Sequence, residues 1–304
     1  MKVPSSTGLS TVAWYNSGKI QNKGWEFNID IAAVKTKDWS FNFGFNISQN
    51  KNEILELPEN KNDELYTFGN KNYAYSVMMG DPLGSFYGYR YKGVYQNVEE
   101  TYAVNTSGQR ILDIDGNPVV MKNGDQKVYP GDARYEDVNG DGVIDENDIV
   151  YLGNSNPTLT GGLNFTLRYK KVSLVAAFHG RAGQKVINQA RMDMENMRGK
   201  NNQSVAVLRR WRSEGDDTDI PRALYDKGYN YLGSDRFVED ASFLRLKTVT
   251  LKYQMPAKWM KAIGVNKLEL YATGYDMFVW TKYKGQDPEV NLKAANDGTV
   301  AQVA

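Results

Sequence analysis

The feature that most constrains the fold is a strict period-two pattern between Trp39 and Ser48. Every odd position there carries a large apolar side chain, and every even position is small or polar. This alternation is typical of a β-strand with one apolar face and one polar face. The segment Trp25–Ile31 repeats the pattern, and residues 35–38 supply a polar turn between the two. The sequence therefore predicts a long antiparallel hairpin.

Three further hairpins are expected. One joins 163–169 to 173–178, a second joins 243–253 to 267–280, and a weaker one joins 73–79 to 87–91 through the turn at 80–84. In the second of these the apolar phase slips near Lys247 and Thr248, which indicates either a β-bulge or an inward-facing pair of leucines. The total is about eight strands in four hairpins.

The connections alternate in length. Turns within hairpins are short, whereas long segments cover 51–72, 96–157 and 181–240. Membrane β-barrels place short turns on one side and long loops on the other, so the pattern favours a barrel over a soluble β-sandwich or propeller. Five tryptophans near the predicted strand ends fit an aromatic girdle: Trp14, Trp25, Trp39, Trp259 and Trp280.

Composition argues against several classes of function. The chain has 37 basic and 36 acidic side chains, so it lacks the basic excess that a nucleic-acid partner would require. It has no cysteine and one histidine, His179, which excludes cysteine nucleophiles and zinc clusters. We therefore expect a protein that is not an enzyme.

Five short motifs occur in an order that resembles one family. The motifs are Asn22-Lys23-Gly24-Trp25-Glu26, Asn50-Lys51-Asn52, Gly84-Ser85-Phe86-Tyr87-Gly88-Tyr89, Pro130-Gly131-Asp132 with Asp137-Val138-Asn139-Gly140-Asp141-Gly142, and Gly153-Asn154-Ser155-Asn156-Pro157. Their order and wording resemble the SusC/RagA family of TonB-dependent outer-membrane transporters of Bacteroidetes-type bacteria, and the resemblance runs from about Thr7 to Val290.

The resemblance implies an all-β fold: a transmembrane antiparallel β-barrel fragment, about eight strands of a barrel of about 22. Residues 1–304 would form the C-terminal part of that barrel. The loop 96–157 would be extracellular, and so would the loop 181–240 with its short helices. Compared with the family, we expect the plug domain and the final strand to be absent, with the chain opening in an extracellular loop at about 4–18.

The loop beginning at Asp137 matches the calcium-binding loop of EF-hands. Oxygen donors fall at positions 1, 3, 5, 9 and 12, glycine at 6 and a backbone carbonyl at 7. The predicted calcium ligands are Asp137, Asn139, Asp141, Val143, Asp145 and Asp148. Asp148 replaces the usual glutamate, and its shorter reach weakens bidentate ligation. The alternative is an Asp/Asn/Gly-rich turn held by its own hydrogen bonds.

Aromatic side chains in the loop 181–240 are candidates for substrate contact, because sugar rings stack on aromatic faces. These are Trp211, Tyr225, Tyr229 and Tyr231. Tyr87, Tyr89 and Tyr91, which alternate along one predicted strand, are better explained as lipid-facing or girdle residues.

The resemblance implies import of oligosaccharides across the outer membrane. The expected partners are a SusD-like surface lipoprotein, the TonB–ExbB–ExbD complex acting through the plug, the remainder of the barrel, and outer-membrane lipid. Peptide import by the same family is an alternative. A non-transporting structural or adhesive surface β-protein and a soluble β-rich binding module also stay open.

Overall fold

A computed structural model describes residues 18–57, 66–67, 73–75, 78–262, 264–289, 293–294 and 300–301. The expectations for residues 1–17, including Trp14, lie outside this range. Six long strands form one antiparallel sheet whose spatial order follows the chain order. They are β1 (Lys19–Lys35), β2 (Trp39–Glu56), β3 (Leu159–Tyr169), β4 (Val172–Ala182), β5 (Phe243–Gln254) and β6 (Glu269–Thr281).

The alternation of side chains gives the sheet two different faces. Cross-strand partners share a face, so Ile29, Phe45, Leu163 and Phe178 lie in one apolar row. Many large apolar side chains of this face are exposed, and Leu251 retains 53% of its accessible surface. The opposite, inner face carries asparagines and threonines of β1, β2, β3 and β5, and β4 places Ser173, Val175 and Ala177 on it.

Aromatic residues border the apolar face at two levels. Trp39 pairs with Tyr169, and their rings lie 4.3 Å apart. At the other level, Trp25 and Leu159 both pair with Gln49. Ten residues of strand separate Trp39 from Gln49, or about 33 Å along β2. With a tilt of about 40° this gives a height of about 25 Å, the height of the lipid-facing band of a membrane barrel.

The predicted bulge is confirmed in β5. The pairing of β5 with β6 shifts register between Leu246 and Thr248, and the pairing with β4 shifts between Ala177 and Phe178. One extra residue on β5 moves the following apolar side chains to the opposite parity, so the outer face stays continuous.

Short turns and long connections alternate along the chain, but two of the three predicted long segments, 51–72 beyond the end of β2 and 96–157, belong to a single connection. Residues 36–38, 170–171 and 255–268 make the short connections, whereas 57–158 and 183–242 make the long ones. We call the described residues of the two long connections, together with 282–289, the loop domain. Among the described residues no helix is long and apolar enough to cross a membrane.

The loop domain is built from short elements around its own core. Tyr89, Tyr95, Met121, Tyr135 and Leu232 are buried together. Its strands are Tyr66–Thr67, Ala74–Tyr75, Ser85–Gly88, Tyr91–Val94, Lys122–Asn123, Gln126–Lys127, Ala133–Tyr135, Val143–Ile144, Val150–Asn154, Lys185–Ile187 and Val238–Asp240. Its helical segments are α1 (Gln189–Glu195) and the 3-10 turns Glu99–Thr101, Glu146–Asp148, Val205–Arg209 and Asp235–Phe237. A second helix, α2 (Ala257–Ala262), lies in the turn after β5, and Lys293–Ala294 pairs with Val300–Ala301.

The fourth predicted hairpin does not belong to the long sheet, so the expected count of eight barrel strands is wrong for the described residues, which contain six. Its two arms do pair, Ala74–Tyr75 with Ser85–Gly88, but Ser85–Gly88 pairs on its other edge with Val150–Asn154 inside the loop domain. Tyr87 and Tyr89 are 3% and 7% exposed. They are core residues of the loop domain and neither lipid-facing nor girdle residues. An alternation of tyrosines is expected both in a strand that faces lipid and in a strand that packs inside a protein domain, because both strands bury one face.

Candidate functional site

A cavity of about 760 Å³ lies where the loop domain meets the ends of β1 and β2. Asn22 of β1 pairs directly with Asn52 of β2, and Asn50 lies on the same polar face. The opposite wall of the cavity comes from the turn 82–84 and from residues 154–157 after the strand Val150–Asn154. The strand ends thus position amide side chains above the polar inner face of the sheet.

Backbone hydrogen bonds fix the loop domain against β2. The amide of Ile54 donates to the carbonyl of Asp81, at 3.1 Å, and the amide of Gly80 donates to the carbonyl of Ile54, at 2.8 Å. The Leu83 amide donates to Asn52 Oδ1 at 2.7 Å. Ile54 is 2% exposed, so this junction is a packed contact.

A cluster of charged side chains ties the segment after β6 to the inner face of the sheet. The Arg245 guanidinium lies 2.5 Å from Asp287 Oδ1 and 3.3 Å from Glu289 Oε2, and it also approaches Asp276. The Gln184 amide donates to the Pro288 carbonyl at 3.3 Å. The cluster therefore anchors residues 282–289.

The structure brings the six predicted calcium ligands into one loop. Asp137 accepts hydrogen bonds from the amides of Gly140, Asp141 and Gly142, at 2.7–3.3 Å. Gly140 and Gly142 both have positive φ, which permits the sharp turn.

The other carboxylates of this loop also accept hydrogen bonds from backbone amides of the same loop. Asp141 accepts from the Val143 amide at 2.8 Å, and Asp145 accepts from the Asn147 amide at 2.8 Å. Asp148 is fully buried and accepts from the amides of Val138 and Asp145, at 2.7 and 2.9 Å. Burial raises the pKa of Asp148, against the lowering effect of those hydrogen bonds.

Calcium in this loop stays a prediction. Within the described ranges no three acidic or histidine side chains stand close enough together to hold a metal as they are placed. The donor set still fits a hard cation, because carboxylate, amide and carbonyl oxygens of one short loop share a single turn. Each carboxylate that accepts one amide keeps further lone pairs for a metal.

The four predicted substrate aromatics do not share one set of contacts. Trp211 donates from Nε1 to Gln96 Oε1 at 3.2 Å and packs against the backbone of Gly131. The Tyr229 hydroxyl donates to Asp125 at 3.0 Å, and the Tyr231 ring lies under Arg198 at 4.5 Å. Tyr225 is 61% exposed. Their role in substrate binding stays a prediction.

Site prediction from the sequence missed the residues that line the cavity. Asn22, Asn50, Asn52 and residues 154–156 fall in motifs that carry the family resemblance, yet none was assigned a role at a site. The sequence feature that could have indicated these residues is the recurrence of asparagine in motifs that lie far apart in the chain.

Comparison with known proteins identifies the group to which the chain is similar. It is 33% identical over 306 residues to TonB-dependent receptor P26 of Formosa agariphila, across 99% of this chain and 29% of that protein. It is 27% identical over 301 residues to TonB-dependent receptor SusC of Bacteroides thetaiotaomicron, across 95% of this chain and 26% of that protein.

Solved structures give the same result. The RagAB peptide transporter superposes with a TM-score of 0.68 at 25% identity, over 94% of this chain and 28% of the matched chain. No protein-family model matches the chain. The chain spans 26–29% of the length of these relatives. The two-faced sheet, the alternating loops and these similarities together show that the chain is part of a TonB-dependent transporter barrel of the SusC/RagA type.

Proposed function

We propose that the chain forms wall and outer loops of an outer-membrane transporter that imports oligosaccharides. The observation that carries the proposal is the pair of faces on the six-stranded sheet. One face is apolar between two aromatic levels, and the other is lined by polar side chains. Such a sheet separates lipid from a hydrated passage.

The partners follow from the same proposal. The free edges β1 and β6 of the described sheet pair with the remainder of the barrel, because unpaired strand edges are not tolerated in lipid. A SusD-like surface lipoprotein covers the loop domain, and TonB–ExbB–ExbD energises import through a plug. In this proposal the protein moves its substrate across the membrane unchanged and does not act as an enzyme.

Peptide import is the second candidate. The solved structures similar to this chain include one described as a peptide transporter. Amide side chains on the inner face suit peptide main chains as well as sugar hydroxyls. Oligosaccharide is the better choice here because the cavity at the strand ends has one charged lining residue, Lys51, which pairs with Glu53.

Removal of TonB tests the transport proposal. Cells that carry the full-length protein should take up labelled oligosaccharide in an energy-dependent way, and deletion of tonB should reduce uptake to background. A strain that lacks only this transporter serves as the control. Uptake unaffected by the deletion would refute active import and would favour a passive surface protein.

Calcium binding by the loop 137–148 is part of the proposal. Extracellular calcium modules bind with dissociation constants of about 10⁻⁴–10⁻³ M, so about 10 mM calcium should stabilise the protein by about 1–3 kcal/mol. The measurement is thermal unfolding after chelation, with magnesium as the control ion.

Asp141→Asn provides the matched variant for this calcium test. It keeps an oxygen that accepts from the Val143 amide, and it removes the charge together with the oxygen that accepts from Asn139. The variant should fold normally and bind calcium more weakly. If the chelated wild-type protein shows neither heat of binding nor a change in melting temperature with calcium, the loop is a turn held by its own hydrogen bonds.

A further inference from the structure

Four motifs that are far apart in the chain meet at the cavity between the sheet and the loop domain. They contribute Asn22, Asn50 with Asn52, Gly84, and residues 154–157. The cavity volume of about 760 Å³ is within the range of small-molecule binding sites. Beside the packed contact at Ile54, the lining of the cavity includes six amide side chains, those of Asn22, Gln49, Asn50, Asn52, Asn154 and Asn156.

Some of these amides hydrogen-bond to other parts of the protein and hold the cavity wall in place. Asn52 accepts from the Leu83 amide and donates to Asn22 Oδ1, at 2.7 and 2.8 Å. Asn156 donates to the Leu83 carbonyl at 2.5 Å and holds the turn 82–84 from the other side. These two asparagines therefore position the wall of the cavity.

Other amide groups are available to a ligand. Asn22 accepts from Asn52 through its oxygen, and its amide nitrogen donates to no partner in the described part of the chain. Asn50 has one long contact, 3.5 Å, from its nitrogen to Asn22, and among the described residues its oxygen accepts no hydrogen bond. A donor and an acceptor thus stand next to each other on the polar face.

Tyr151 gives the cavity an aromatic surface. The residue is 42% exposed, and its ring meets that of Tyr87 edge to face, with the ring centroids 5.8 Å apart. Asn154 donates to the Tyr151 hydroxyl at 3.0 Å, which fixes the orientation of the ring. Tyr151 itself lies in a strand paired with Ser85–Gly88, so the aromatic face is held rigidly.

The charge of the lining selects the class of ligand. Lys51 is the one charged residue among the lining side chains, and its ammonium group lies 3.1 Å from Glu53. A charged ligand would therefore meet no unpaired opposite charge here. Adjacent amide donors and acceptors beside an exposed aromatic ring suit a neutral polyhydroxylated ligand.

We propose that this cavity is a sugar-binding subsite, in which Asn22 and Asn50 hydrogen-bond to hydroxyl groups and Tyr151 stacks on a sugar ring. The inference rests on the proposed import function and adds to it a specific point of contact at the outer end of the barrel wall. Asn52, Asn154 and Asn156 act as positioning residues.

Retention of ligand mixtures by the full-length protein tests the subsite. The immobilised protein is exposed to neutral oligosaccharides from starch, xylan, mannan and galactan, and separately to a tryptic peptide mixture. Asn22→Ala with Asn50→Ala should lower oligosaccharide retention roughly tenfold, because each substitution removes one neutral hydrogen bond. The control Asn202→Ala removes an exposed asparagine outside the cavity and should retain the wild-type amount.

A second measurement gives the position of the ligand directly. The 304-residue sequence has no cysteine, so Thr158→Cys, in the cavity lining, and Asn202→Cys, outside it, each introduce one thiol there for maleimide labelling. The retained oligosaccharides should protect Thr158→Cys, which leaves Asn22 and Asn50 intact, and should leave Asn202→Cys reactive. Equal protection at both positions, or none at either, overturns the subsite.

The other outcomes are also decisive. If the double variant retains oligosaccharides as well as wild type does, or if the wild type retains none, the subsite is wrong. If peptides are retained in their place and lost in the double variant, the assigned ligand class is wrong. Uptake that persists without TonB refutes the import proposal, whereas retention by the immobilised protein does not depend on TonB.

Discussion

Substitution of Glu195 by glutamine should destabilise the loop domain by about 3 kcal/mol, because it leaves a buried arginine without its counter-ion. Arg236 Nη2 lies 2.9 Å from Glu195 Oε2, and the two side chains are 4% and 5% exposed. Water cannot replace the carboxylate at such a site. Removal of one partner of a buried pair costs more than the pair contributes.

The surroundings of the pair add to the expected effect. Arg191 also binds Glu195, at 2.9 Å, so the variant removes one of its two carboxylate partners and leaves it Glu239 at 3.2 Å. Both arginines stack on Phe237, with guanidinium carbons 5.5 and 4.9 Å from the ring centroid. The substitution should therefore loosen α1 and the turn Asp235–Phe237 together.

Hydrogen exchange of the intact protein measures this local destabilisation. Exchange of the α1 amides should accelerate strongly in Glu195→Gln, while β1–β6 keep wild-type protection. Glu214→Gln, at an exposed position of the same loop, is the matched control and should have no effect. In the double variant with Arg236→Met, part of the stability should return. Unchanged exchange in Glu195→Gln would show that the buried pair contributes little.

We expect Gly131→Ala to have the second large effect and to lower the free energy of unfolding by about 3–4 kcal/mol. Gly131 has a φ of +86°, and a Cβ there would lie 2.2 Å from Trp211 Cε3. The left-handed backbone costs about 1–2 kcal/mol for a residue with a side chain. The overlap with a large ring adds strain of about 1–3 kcal/mol.

Gly215→Ala separates these two contributions. Gly215 also has a positive φ, +92°, but its Cβ would meet nothing within 4 Å. It should therefore show the backbone cost alone, and the difference between the two variants reports the contact with Trp211. Thermal unfolding, together with tryptophan fluorescence, checks both. Equal destabilisation by the two variants would mean that Trp211 moves aside freely.

The barrel hairpins could be predicted because strand alternation is a local property. From Trp39 to Ser48 the polarity of each side chain indicates which face of the strand it occupies, and the pairing of β1 with β2 follows from that pattern. The slip in β5 was also visible, since one bulged residue inverts the parity of those that follow. The strand Ser85–Gly88 shows the limit, because its alternation does not say whether lipid or protein covers it.

The turn at 137–148 could be predicted from the sequence, whereas the cavity could not. Asp137 and its neighbours lie close in sequence, so their turn could be predicted from spacing, and their hydrogen bonds are local. Asn22 and Asn156 contact a common cavity only because the loop domain folds back onto β2. No spacing rule relates residues so far apart in the chain.

The sequence by itself determined the three hairpins of the long sheet, their two faces and the alternation of short turns with long connections, because side-chain parity and turn composition act over a few residues. Only the tertiary structure decided that the long connections form a packed domain with buried tyrosines, and that amides from separate motifs meet above the inner face. Those results depend on contacts such as Asn52 with Leu83 and Glu195 with Arg236. Such contacts form only when long chain segments close, and burial then fixes which partner each polar group takes.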